Sequence, residues 1–140
     1  MRIDYSQIEP ELTSRFRHLT RDLAQTSIAP NLRALVELRV SQINRCAYCI
    51  QLHQAEARHL GEDQKRLDQL PEWQTSPLFM PREQAAMAWA EALTHKATVH
   101  DDAQEYDQLT TLFSEQEIVA LGFVISLANF WNRMAGGFRK

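Results

Sequence analysis

Residues 30–61, PNLRALVELRVSQINRCAYCIQLHQAEARHLG, carry two helices and the break between them. Pro30 suits the first turn of a helix, where its missing N–H is harmless, and Leu32, Leu35, Val36, Val40 and Ile43 give that helix a buried face. The next helix is predicted from about Cys46 to Leu60, with Gly61 supplying the left-handed C-terminal cap. On one unbroken helix Glu37 and Cys46 stand about half a turn out of phase and face opposite ways. A break at Asn44-Arg45, with Asn44 as N-cap of the second helix, lets the chain fold back and brings Glu37 over the cysteines.

Outward from this stretch the pattern stays helical. Upstream, Leu12, Phe16, Leu19 and Leu23 step by four, three and four, drawing one apolar stripe down an otherwise charged helix. Downstream, a short helix is predicted near Gln64 to Leu70, followed by a proline-rich loop from Pro71 to Pro81. Pro81 opens an alanine-rich helix through Trp89 and Leu93. Asp102 with Glu105 and Ser114 with Glu117 match the capping-box pattern and start the last two helices. The final one, through Ile118, Leu121, Val124, Ile125, Leu127 and Trp131, is apolar nearly all round, as befits a helix central to the core or buried between subunits. With only four glycines and few β-branched runs, strands have little support, and the expected fold is all-α with six to seven helices.

A chain of 140 residues with 44% hydrophobic side chains can close one core and offers no second block for another, so residues 1–140 read as one domain. The net charge of −3 and the scatter of Lys and Arg leave no basic stripe, which argues against nucleic acid as a partner. The opening residues lack the apolar region of a secretory signal. The longest apolar stretch, Ile118 to Ala128, falls short of the roughly 20 residues that span a bilayer, so the reading is a cytoplasmic protein without a membrane partner.

In that compartment a cysteine pair points to redox or metal chemistry and away from a permanent staple. Cys46 and Cys49 are the only cysteines, and random placement would set two cysteines three apart in only about one or two chains in a hundred of this length. Mid-helix, that spacing holds the Cβ atoms too far apart for a disulfide, whereas the first turn permits one. The same placement aims free backbone N–H groups at sulfur and favours the thiolate. His53 follows Cys49 by one turn, within reach of its sulfur directly or through one water, and Glu37 is the nearest upstream carboxylate that could orient the imidazole. Zinc would need further ligands, and the remaining histidines have no partner at ligand spacing, so no metal or other cofactor is expected.

The run from Glu37 through Cys46-Ala47-Tyr48-Cys49 to His53 resembles the AhpD-like branch of the carboxymuconolactone decarboxylase superfamily. Arg82 to Leu93 and Asn129-Phe130-Trp131-Asn132-Arg133 extend the likeness over most of the chain, while Tyr48 stands where the best-known members have histidine. The resemblance implies a helical fold assembled into homo-oligomers, trimers or hexamers, and a metal-free and haem-free peroxidase acting on organic hydroperoxides in antioxidant defence. By position it implies that Cys49 attacks the peroxide, that Cys46 is the exposed resolving thiol, and that His53 and Glu37 relay the proton. The disulfide so formed requires an external dithiol reductant protein. A non-enzymatic thiol switch, and below it decarboxylase-type chemistry, are the alternative readings of the same residues.

Overall fold

The computed structural model describes residues 2–95 and 103–138. Among them are eight α-helices and no strand: α1 (Tyr5–Ile8), α2 (Pro10–Asp22), α3 (Pro30–Ile43), α4 (Ala47–His59), α5 (Gln64–Gln69), α6 (Pro81–His95), α7 (Ala103–Leu112) and α8 (Glu115–Phe138). Two 3-10 turns, Leu23–Gln25 and Leu70–Glu72, close α2 and α5.

Helix α3 is the centre of the molecule. Leu35, Val36, Leu38 and Val40 are fully buried, and Ala34, Glu37 and Ser41 are buried with them, so no face of the middle of the helix meets solvent. It packs against α4, α6 and α8. The sequence pattern predicts that the last helix is either central to the core or buried between subunits. In the structure α8 shares the central place only in part: Leu121, Val124 and Ile125 are in the core, whereas Val119 and Phe123 are each 60% exposed. By length and composition α8 could cross a bilayer, but eight of its residues are buried in the helical packing.

The stripe expected on α2 is rotated. Its packing face is Thr13, Phe16, Thr20 and Leu23: Phe16 stacks on Phe130 with ring centroids 4.4 Å apart, and Thr20 Oγ1 accepts a 2.7 Å bond from Trp131 Nε1. Leu12 and Leu19, read as core, are each about half exposed. Two threonines that satisfy their hydroxyls locally can line a helix interface, and a hydrophobicity pattern does not count them.

The break in residues 30–61 is a Schellman motif. Arg45 N donates to Gln42 O at 3.1 Å and Cys46 N donates to Ser41 O at 3.1 Å, with Arg45 in the left-handed region at φ 54°. Asn44 therefore closes α3 as its C-cap, and the N-cap of α4 is Cys46, which corrects the role expected of Asn44. Asn44 acts through its amide, with Nδ2 donating to Asn129 Oδ1 and Asn132 Oδ1 on α8, both at 2.9 Å. Gly61, at φ 91°, ends α4 in the same motif. Ser114 and Glu117 form the reciprocal capping box that opens α8, while Asp102 lies outside the described residues.

Leu35→Ala is expected to lower stability by about 3 kcal/mol in equilibrium urea unfolding, because it opens a cavity in the central helix. Leu12→Ala, in the exposed part of α2, is expected to cost less than about 1 kcal/mol in the same assay. Equal losses would contradict the rotated face of α2.

Candidate active site

Cys46 leaves the Schellman turn in an extended conformation, φ −84° and ψ 92°, and caps the first turn of α4. That geometry brings the two cysteine Cα atoms to 5.2 Å, and the sulfurs are joined in a disulfide. Cys49 N donates to Cys46 Sγ at 3.4 Å, so an unpaired helix-start N–H does point at sulfur. Both cysteines are buried, at 9% for Cys46 and 4% for Cys49, which departs from the exposed position expected for Cys46.

One turn beyond Cys49, His53 Nδ1 lies 2.8 Å from Glu56 Oε2 and 3.4 Å from Glu37 Oε2. Glu37 stands on α3 and Glu56 on α4, so the imidazole is clasped between the two helices that the break folds together. An ionised carboxylate can only accept, so Nδ1 carries the hydrogen, and a neutral His53 then has Nε2 unprotonated and able to take a proton. Among the described residues His53 has no hydrogen bond to either sulfur of the disulfide.

The two carboxyl groups titrate in opposite directions. Burial pushes Glu37 up, against the attraction of His53 and Arg33. The hydrogen bond from His53, more than any other influence, holds Glu56 down. Glu56 was absent from the sequence reading, although its i,i+3 spacing from His53 on a helix is a visible signal. Glu37, His53 and Glu56 also place ligand atoms within 4.8 Å of one another, and the three could hold a divalent cation.

Cys49, His53, Glu37 and Glu56 open onto one cavity of about 600 Å³, which Cys46 does not line. Tyr48, Leu52, Trp131 and Ala135 supply much of its wall. A polar chain fixes the floor behind it: Asn44 donates to Asn132, Asn132 Nδ2 donates to Ser41 Oγ at 3.1 Å, and Ser41 Oγ donates to the Glu37 carbonyl at 2.8 Å. The helix break and the turn bearing Glu37 are thus tied to the same residue of α8.

Residues 10–92 match the carboxymuconolactone decarboxylase family. The uncharacterized protein YdfG of Bacillus subtilis is 31% identical over 134 residues, which is 96% of this chain and 91% of that protein. Among solved structures, a protein of unknown function from Agrobacterium tumefaciens, with a suggested role as the antioxidant defence protein AhpD, superimposes with a TM-score of 0.94. It is 32% identical, over 99% of this chain and 95% of that one. The debrominase Bmp8 shares the fold at a TM-score of 0.85 and 23% identity, over 94% of this chain and 71% of its own.

A carboxyl whose value is raised on folding makes the native state hold more protons than the unfolded chain from the ordinary carboxylate range, about pH 4–5, up through the raised value. Its contribution to stability is therefore present below that window and lost as pH rises through it. Glu37→Gln lacks this titration, so urea midpoints measured between pH 4 and 7 are expected to move in favour of the variant, relative to wild type, as pH increases. A pH-independent difference would show that Glu37 carries no raised value.

Proposed function

Because the chain belongs to the carboxymuconolactone decarboxylase family, in its AhpD-like branch, we propose that it is a thiol peroxidase that reduces organic hydroperoxides through Cys46 and Cys49. The observation that carries this reading is that Cys49 and the His53 cluster share the wall of one cavity, with the partner cysteine bonded directly behind. The fold alone does not select the reaction, since a debrominase has it too.

In the reduced protein His53 takes the Cys49 thiol proton through water, and the carboxylates stabilise the imidazolium. The Cys49 thiolate attacks the terminal oxygen of the hydroperoxide and the O–O bond breaks, leaving Cys49 as sulfenic acid. The departing alkoxide takes the proton from His53 and leaves as alcohol. The Cys46 thiol then attacks the sulfenic sulfur, forming the disulfide and releasing water. An external dithiol protein returns both electrons. Its thiolate attacks the sulfur of Cys46, the less buried of the two residues, and the Cys49 thiolate leaves beside His53. The donor's second thiol then resolves the mixed disulfide, freeing Cys46 and leaving the donor oxidised. The cycle requires no metal or other cofactor. A cytoplasmic location suits the reductant, and the exposed Val119 and Phe123 on α8 support assembly into a trimer or hexamer.

Hydroperoxide consumption by metal-free protein with excess dithiol is expected to show many turnovers in wild type and none above background in Cys49→Ser. Reduced Cys46→Ser, freed of dithiol, is expected to consume one equivalent of hydroperoxide and stop at the sulfenic acid. In His53→Gln the rate is expected to fall by about 10²–10⁴-fold. Wild-type consumption no faster than the reductant alone, combined with oxidation-dependent assembly or partner binding, would replace the enzyme with a thiol switch.

A further inference from the structure

Three arginines line the cavity that holds Cys49: Arg17 and Arg21 on α2, and Arg33 on α3. Arg17 and Arg21 are one helical turn apart and exposed, so like charges sit side by side at the rim. Arg33 is half-buried, and its Nε is shielded from solvent with no hydrogen-bond partner. Among the described residues none of the three makes an ion pair or a side-chain hydrogen bond. The other arginines whose side chains do so reach carboxylates, a glutamine or carbonyl oxygens, as Arg39 reaches Glu91 and Arg66 reaches Glu62 and Glu83. The same cavity is lined by Glu37 and Glu56, which Arg33 attracts without an ion pair or hydrogen bond to either, so three guanidinium groups face two carboxyl groups and the opening keeps a positive excess in a chain of net charge −3.

A buried, unpaired donor is unfavourable unless something outside the chain satisfies it. Leu52, which is exposed, together with Trp131 and the buried Ala135 makes an apolar wall of the cavity that Cys49 lines. Guanidinium groups and an apolar wall in one cavity fit an amphipathic molecule, and about 600 Å³ is within the range of small-molecule sites. We propose that the cavity selects substrates that carry a carboxylate on an alkyl chain, with the carboxylate on the Arg33 guanidinium, Arg17 and Arg21 gathering it from solution, and the chain lying along Leu52 and Trp131. That this substrate is a hydroperoxide rests on the peroxidase reading; that it is an alkyl carboxylate rests on the arginines and the apolar wall. A planar guanidinium and a carboxylate match in a two-point, charge-assisted contact that an ester or alcohol does not reproduce.

Binding of decanoate and of decanol to the oxidised wild-type protein, followed by tryptophan fluorescence and calorimetry, separates the two claims. Decanoate is expected to bind at least about tenfold more tightly than decanol, and Arg33→Gln to remove most of that preference while leaving decanol affinity unchanged. Arg21→Gln is expected to reduce the preference by a smaller factor and to make it less sensitive to salt. Equal affinities in wild type, or an Arg33→Gln variant that weakens both ligands alike, would overturn the proposal. The parallel assay compares turnover of a hydroperoxy fatty acid with its methyl ester. A binding preference without turnover of either peroxide sustains the carboxylate site and removes the peroxidase. Turnover of both at one rate, with equal affinities, does the reverse.

Discussion

The left-handed residue at Arg45 governs the placement of the site. An L-residue other than glycine in that conformation costs about 1–2 kcal/mol, and here the chain offsets it with the two backbone bonds of the Schellman turn and the Asn44 amide anchored on Asn129 and Asn132. From this turn follow the reversal between α3 and α4, the extended backbone of Cys46, and the short distance between the cysteines. With a continuous helix in its place, Glu37 would face away from Cys49 and the imidazole would have no partner on α3.

Local rules of stability are broken within a short span around that turn. Glu37 is a carboxylate in the most buried helix of the molecule, Arg33 carries a buried donor without a partner, and Arg45 has a positive φ. Each lies on the segment that carries the cysteine pair; on α6 the buried Glu83 is paired with Arg66, and Trp89 Nε1 is a further buried donor without a hydrogen-bond partner. Concentrated departures of this kind mark where a chain has been shaped for chemistry as well as for packing. The opposed shifts of Glu37 and Glu56 belong to the same arrangement: one imidazole serves a carboxyl with little access to solvent and another that is half exposed.

Much of this was readable from residue order. Pro30, Gly61, Pro81 and the Ser114–Glu117 pair mark helix ends by local chemistry, and the structure places those ends within a residue or two of where the sequence puts them. The break between Glu37 and Cys46 followed from helical phase. What the sequence concealed depended on contacts between distant segments. The rotation of α2 rests on Phe130 and Trp131, more than a hundred residues downstream, and the Asn44 amide network needs α8 to be in place. The run Ala34-Leu35-Val36, followed by Leu38, did signal a helix buried on every side, but a period-based search for one apolar face passes over it. Arg33 lines the cavity near enough to Glu37 for its charge to favour the carboxylate, a placement that depends on how α2, α3 and α4 pack.

Cys46 and Cys49 pack with Ala135 in a small buried cluster of their own, apart from the main core around α3. The bond between them closes a loop of only three residues' separation, the kind of link that restrains the unfolded chain least. Making or breaking that bond therefore changes global stability less than a long-range cross-link would, and its effect falls on the start of α4, where Cys46 and Cys49 pack against Ala135.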